Sequence, residues 1–206
     1  MREEARLAAA RTTAPSLLDV GCGIKPYLPF FDEAVAEYVG VDVANPAADL
    51  EGTAEEIPVA DGSYDLVLCT QTLEHVDDPG RAVRELRRVV APGGRVLAST
   101  HGVMVYHPNP QDLWRWTHAG LERLFRNNGR WSAVTVTPGS GTTACTAMLV
   151  AIYVHLFFKQ LRVAALASPL VAALNVGAGA VDTAVPALRR PRPGTIFANY
   201  HVIAEP

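Results

Sequence analysis

Leu17-Leu18-Asp19-Val20-Gly21-Cys22-Gly23 is the stretch on which the reading of this chain turns. A short apolar run with no polar alternation reads as a strand buried on both faces, the habit of a parallel sheet. It ends on two glycines one residue apart. Glycine there lets the backbone turn sharply into the next segment and lets a ligand approach without a Cβ in the way. The pair does not complete a G-x-G-x-x-G dinucleotide fingerprint, because Pro26 stands where the third glycine belongs.

Working outward, Tyr38–Asp42 reads as the next strand and ends in an acid. An acid at that position can accept both hydroxyls of a ribose. Loop and acid together indicate an adenosine-type ligand more firmly than a pyrophosphate. Tyr64–Cys69, Arg95–Ser99, Trp131–Thr137 and Thr195–Ala204 read as further strands. Helices are expected over Pro29–Ala36 and Gly80–Val90, the latter stopped by Pro92-Gly93-Gly94, and from an N-cap at Thr117 to about Asn128. Met1–Ala14 reads as a short amphipathic helix or a frayed end. Alternating strands and helices imply an α/β fold with a sheet covered on both faces. Its ligand then binds beyond the carboxyl ends of the strands. That places the candidate site at Gly21–Lys25, Asp42–Val43, Thr53–Glu55, Cys69–Leu73 and Thr100–Gly102.

Six motifs then carry a resemblance: Asp19-x-Gly21-Cys22-Gly23, Tyr38-x-Gly40-x-Asp42, Ala54–Pro58, Asp61–Asp65, Leu73-Glu74-His75-Val76 and Leu86-x-x-Val89-x-x-Pro92-Gly93-Gly94. In this order and spacing the chain resembles class I S-adenosyl-L-methionine-dependent methyltransferases, in the broad type 11-like subgroup that includes small-molecule and ubiquinone-type enzymes. The resemblance covers about residues 16–137 and the last strand. It implies a doubly wound, mostly parallel, seven-stranded Rossmann-like sheet with the final strand antiparallel, in one domain over 1–206. It implies S-adenosyl-L-methionine as cofactor, and Asp19, Gly21, Cys22, Gly23, Asp42, Val43, Thr53, Ala54, Glu55, Thr70 and Gln71 as its binding set. Gly21 and Gly23 would lie along the methionine part, and Asp42 would hold the ribose. Val43, Ala54 and Glu55 would meet the adenine, and Thr70 and Gln71 the sulfonium end. Thr53 stands where many relatives have Asp. Lys25 is expected to turn its head to solvent or to the cofactor carboxylate, away from the sulfonium.

The segment after the fifth strand, His101 and then His107–Thr117, resembles the H-x-x-P-x-D-[YLF]-W-R-[FW]-T stretch of one such subgroup. His101 or His107 is a candidate general base. Asp112 would position an acceptor hydroxyl or pair with Arg115, and Arg115 would bind an anionic group. Trp114 and Thr117 read as packing and capping residues, and His75 as a structural hydrogen-bonding group. The acceptor would be an O or N nucleophile of a small or lipid-linked molecule. A nucleotide-dependent oxidoreductase and a non-catalytic scaffold of the same fold stand as alternatives.

Composition bounds these readings. The chain has 206 residues, 18 Lys+Arg against 21 Asp+Glu, and 49% hydrophobic residues. A net charge of -3 speaks against a nucleic-acid binder. Cys22, Cys69 and Cys145 are widely spaced, which speaks against a zinc site or a disulfide framework and for a reducing, cytoplasmic compartment. The charge is uneven: from Pro138 to Leu188 the only charged side chains are Lys159, Arg162 and Asp182. This apolar insertion, 139–194, falls before the last strand. Three readings of 144–181 stay open: a helical hairpin meeting the inner face of a membrane, a lid or homodimer face, and a core helix pair.

Overall fold

The computed structural model describes residues 15–206 apart from 32, 164 and 166. The expected N-terminal helix lies outside these residues. Five parallel strands come first: β1 (Ser16–Val20), β2 (Glu37–Asp42), β3 (Leu50–Glu51), β4 (Tyr64–Thr70) and β5 (Val90–His101). β6 (Ala133–Pro138) and β7 (Asn199–Glu205) complete a seven-stranded sheet of order β3-β2-β1-β4-β5-β7-β6. β7 runs antiparallel to both neighbours, with Ala98 and Val136 each opposite Val202. The strand order reverses between β1 and β4, and a crevice opens beyond the carboxyl ends of strands at such a reversal.

β1 sits mid-sheet, which is why its residues are apolar on both sides. Leu18 and Val20 face one core with Val41, Val67 and Cys69. Leu17 faces the other with Phe31, Leu66, Leu68 and Leu97. The first core is roofed by α2 (Pro79–Val89), whose Ala82, Val83, Leu86 and Val89 form one buried stripe. Asp78 caps α2 by accepting from Arg81 N, and Pro79 occupies its first turn, where a missing N–H costs nothing. α3 (His118–Asn128) begins at Thr117, whose Oγ1 accepts from Gly120 N, and buries Leu121 and Phe125 on the same core.

Several bounds differ from expectation, among them β5, which begins at Val90 rather than Arg95 and so takes Pro92-Gly93-Gly94 into the strand. The first helix is only Leu28–Phe31 (α1), because Phe31 O accepts from both Ala34 N and Val35 N and closes the turn. β3 is an edge pairing of two residues, too short to show a period. β7 begins at Asn199 rather than Thr195, because Thr195 is spent in a turn with Arg192. Between β6 and β7 run α4 (Thr142–Gln160) and α5 (Ala167–Ala184), followed by a 3-10 turn at Pro186–Arg189. Asp182, near the end of α5, accepts from Thr143 N and Ala144 N at the start of α4, so the helices are antiparallel.

Candidate active site at the strand reversal

A cavity of about 680 Å³ opens at the carboxyl ends of β1, β2 and β4, within the roughly 300–1,000 Å³ usual for small-molecule sites. Gly21, Gly23, Asp42, Val43, Thr53, Ala54, Glu55 and Gln71 line it, so eight of the expected binding residues are brought together. Gly52, Thr72, His75, Val76, Asp77, Pro110 and Gln111 line it as well. The loop is built on backbone only glycine adopts readily: Gly21 has φ +73° and Gly23 +52°. A Cβ on Gly21 would strike Thr72 Oγ1 at 2.3 Å, whereas the space over Gly23 is open to 4 Å. The open space above Gly23 is a cradle that a side chain would fill.

Asp42 organises the floor. Its Oδ2 accepts from Gly23 N at 2.8 Å and from Asn45 Nδ2 at 2.9 Å, and its Oδ1 from Val43 N at 2.7 Å. Two carboxylate oxygens offer about four acceptor sites, so Oδ1 keeps capacity for an outside hydroxyl. Lys25 does not point to solvent or into the cavity. Its Nζ pairs with Asp49 Oδ2 at 2.6 Å, and that carboxylate also accepts from Gly40 N and sits below the usual carboxylate range. The pair ties the loop to β2. Gly40 belongs to this joint, since a Cβ there would meet Cys22 Sγ and Lys25 Cε at 2.7 Å.

Three expected binding residues lie off the cavity wall. Asp19 alternates with Leu18 and so faces the second core, fully buried, where Tyr38 Oη–H donates to its Oδ2. Burial pushes its carboxyl up to about 6, against the opposing hydrogen bond from Tyr38. Cys22 is buried beneath the loop, and burial raises its thiol to about 11, so it is no nucleophile. Thr70 shares the face of Leu66 and Leu68 and lines a separate hollow with Tyr27, Ser99 and His201.

The segment after β5 is docked against the turn following β4. Leu113 N and Trp114 N both donate to Glu74 O, Trp114 Nε1 donates to Val76 O, and Trp116 N donates to His101 O. Trp114 and Trp116 stack. Arg115 departs from its expected role. Its guanidinium grips both Asp112 oxygens and donates to the carbonyls of Met104, Val105 and Trp114, which uses all five of its N–H groups. No donor remains for a substrate anion. Asp112, its side chain 1% exposed, is held by Arg115 far below the usual carboxylate range. The pair therefore clamps the 104–115 loop.

The histidines form a line leading from the cavity wall. His75 lines the cavity and holds Gln111 O through Nδ1 at 2.7 Å. The His107 ring lies 5.3 Å from that of His75 and 5.3 Å from that of His101. Two of these imidazoles have carboxylate partners. His107 Nδ1 is 3.2 Å from Asp112 Oδ2, and His101 Nε2 is 3.3 Å from Glu74 Oε1. Glu74 is fully buried and also accepts from Thr100 Oγ1 at 2.8 Å. A carboxylate beside one ring nitrogen favours an N–H there and leaves the other nitrogen as an acceptor, although neither contact has hydrogen-bond geometry. Burial keeps His101 below the ordinary imidazole range, outweighing the opposite pull of Glu74. Glu74 has no role in the sequence reading, yet it is the buried acid at the join of these elements. The available signal was an acid between Leu73 and the apolar Val76, where exposure is not expected. One donor atom each from His75, His107 and Asp112 fall within 4.8 Å of one another, a spacing a cation could bridge. Arg115 already supplies the positive charge that Asp112 requires.

A family model described as a methyltransferase domain matches residues 1–133. The chain belongs to this methyltransferase domain family. Among similar methyltransferases, an uncharacterized one from Mycobacterium sp. (strain KMS) is 38% identical over 105 residues, covering 44% of this chain and 42% of the relative. A ubiquinone biosynthesis O-methyltransferase of Ralstonia nicotianae is 36% identical over 115 residues, 46% of this chain and 48% of the relative. The chain spans about half the length of the curated relatives it matches. In fold, it is similar to the YcgJ protein of Bacillus subtilis, with a TM-score of 0.54 at 18% identity over 100% of this chain and 99% of that one. It is similar also to phosphoethanolamine N-methyltransferase 2 of Haemonchus contortus in complex with S-adenosyl-L-methionine. That TM-score is 0.58 at 15% identity, over 99% of this chain and 52% of that one. The seven-stranded methyltransferase sheet is thus shared, and the matched family segment includes β1–β5 and the whole cavity wall.

Proposed function

We propose that this chain is an S-adenosyl-L-methionine-dependent methyltransferase acting on an O or N nucleophile of a small or lipid-linked acceptor. The observation that carries the reading is the coincidence of two features at one crevice. A glycine-built cradle stands over an acid with spare acceptor capacity, and a line of imidazoles begins on the same cavity wall at His75 and continues to His107 and His101, each beside a carboxylate. The residues fit the cofactor. Asp42 Oδ1 would take the ribose hydroxyls, and Gly21 and Gly23 would let the backbone approach the methionine part. Val43, Thr53, Ala54 and Glu55 would flank the adenine, with Gln71 and His75 at the inner end. When bound, S-adenosyl-L-methionine supplies a methyl group already activated by the sulfonium.

The chain then has to hold donor and nucleophile in line, which can supply several kcal/mol of the barrier through lost freedom alone. Glu74 and Asp112 lie 3.3 and 3.2 Å from one ring nitrogen of His101 and of His107, so as bases these rings would offer the other nitrogen, Nδ1 and Nε2. Either nitrogen can accept the proton of an acceptor hydroxyl or ammonium, and His101 is neutral at pH 7 because burial opposes its charged form. The Arg115–Asp112 clamp keeps the loop, and with it His107, in place beside the crevice.

Calorimetric titration with S-adenosylhomocysteine tests the site. Wild-type chain should bind, and Asp42→Ala should lose at least tenfold in affinity, because it removes the ribose acceptor and the hydrogen bond that fixes Gly23 N. Equal affinity of the two proteins would refute the assignment.

A further inference from the structure

The helices α4 and α5 are packed the opposite way from a helix pair in water. Their buried apolar residues are small: Cys145, Ala147, Ala151, Ala167 and Ala178. Several large ones turn outward, with Tyr153 66%, Phe157 59% and Val176 74% exposed and Leu170 about half exposed, while Met148, Ile152, Leu156 and Val171 line the groove between the helices. Helix pairs in water bury their large apolar residues, whereas pairs in lipid approach through small ones, since lipid solvates leucine as well as a protein core does. Both helices pack chiefly on each other and on the following 3-10 turn, not on the sheet.

The polar side chains follow the same inverted order. His155, Ser168 and Asn175 are exposed, but they lie on different turns of two helices and all three gather along the one open groove between them. Inside a bilayer, polar groups face a neighbouring helix rather than lipid. Thr146 and Thr183 return their hydroxyls to the carbonyls of Thr142 and Gly179, and Asp182 has both oxygens on the first turn of α4.

Length and charge agree. At 19 and 18 residues the helices are about 28 and 27 Å long, close to the roughly 30 Å of a hydrocarbon core. Among the described residues, α4 is the one helix long and apolar enough to cross by itself, with 17% of its span buried, and α5 would cross paired with it. Val163–Val181 adds 19 residues without a charge. Charge sits only at the two ends of the hairpin. Lys159 and Arg162 are at the tip, and exposed Arg189, Arg190 and Arg192 are at the foot, where anionic headgroups would meet them. Exposed large apolar residues on both helices, away from that groove, call for a surrounding solvent, whereas a second subunit covers one face.

We propose that α4 and α5 form a membrane-spanning hairpin that anchors the domain to a lipid bilayer. Two antiparallel crossings return the chain to the side it left, which is what the insertion of β7 into the sheet requires. The charge-free run Ala144–Phe158 is extended by Thr142, whose Oγ1 accepts from Ile196 N, and Thr143, whose backbone N–H donates to Asp182 at the foot.

The test uses the full chain expressed in a bacterial host, with a single thiol introduced at the tip (Gln160→Cys) or on α3 of the domain (Asn127→Cys). The three native cysteines are buried. The proposal expects wild-type chain to stay with membranes through alkaline carbonate. A membrane-impermeant maleimide should label the Asn127→Cys variant in inverted vesicles but not the Gln160→Cys variant, and the reverse in spheroplasts. A paired substitution of outward residues, Tyr153→Glu with Phe157→Glu, should release at least tenfold more chain from the membrane while S-adenosylhomocysteine binding is unchanged. Labelling of both variants from one side would mean surface attachment and would overturn the spanning hairpin. So would a carbonate-soluble chain that sediments as a dimer, which would identify the hairpin as a subunit interface. Neither result bears on the cofactor site, which is read by the binding assay.

Discussion

Asp19 stores a pH-dependent cost that can be measured without knowing the substrate. Its carboxyl is fully buried behind the glycine loop, accepts one hydrogen bond from Tyr38, and leaves Oδ1 without a protein partner among the described residues. Burial raises it from 3.8 to about 6. The folded state therefore holds a proton that the unfolded state releases between about pH 4 and pH 6. Stability falls with rising pH across that window and is level above it. A rise of about 2 pH units at about 1.36 kcal/mol each gives a loss of about 3 kcal/mol. Asp19→Asn removes the titration and keeps an oxygen for Tyr38. The variant has its own fixed cost or gain from the new amide, so the decisive quantity is the difference between the two proteins as pH changes. Between pH 4 and pH 7 the wild type should lose about 3 kcal/mol relative to Asp19→Asn. For a chain of this size that is a relative shift of about 6–12 °C in Tm. Thermal unfolding followed by circular dichroism at half-unit pH steps reads this directly. A constant difference between the two proteins across the range would refute the burial argument.

Other consequences follow from named contacts. Arg115→Ala strips the loop of its clamp and leaves Asp112 buried with only His107 beside it. Breaking a buried pair costs about 3–5 kcal/mol, and with Arg115 29% exposed, water should reduce this to about 2 kcal/mol, read as faster amide exchange across 104–115. Arg115→Lys should fail to restore protection, because an ammonium cannot span both oxygens and three carbonyls. The His101 imidazole should titrate below 6.5 by NMR, and Glu74→Gln should move it lower still, since the Glu74 charge favours the protonated ring. Arg88→Ala should lower stability by about 2–3 kcal/mol in chemical unfolding, because it takes the cation from Glu85, which keeps only Ile57 N, and leaves the carbonyls of Ile57 and Val59 without their guanidinium donor.

What the sequence revealed of the site depended on whether backbone or side-chain packing decided it. Gly21, Gly23 and Asp42 were legible because a strand-end turn at positive φ leaves glycine almost alone as a choice, and the acid follows at the end of the neighbouring strand. Thr70 was misplaced for want of one step of alternation. The same period that buries Leu66 and Leu68 carries Thr70 away from the cavity. Arg115 and Asp112 were visible as polar residues over the site. Their saturation was not, because it depends on carbonyls of Met104 and Val105 that no side-chain pattern reports. Glu74 went unassigned for a related reason: its partners, Thr100 and His101, reach it only through the pairing of β4 with β5. The hairpin was recognised by its lack of charge. Its inverted packing, with small residues inside and large ones outside, emerged only when the two helices were set against each other.

The central claim is that the crevice at the strand reversal holds S-adenosyl-L-methionine with its ribose on Asp42 and its sulfur toward the histidine line. A crystal structure of the full chain with S-adenosylhomocysteine tests it most directly. The account predicts both ribose hydroxyls within hydrogen-bond distance of Asp42 and the sulfur on the side of His75 and His107. A ligand seated instead in the hollow beside Thr70, or with its ribose away from Asp42, would contradict it.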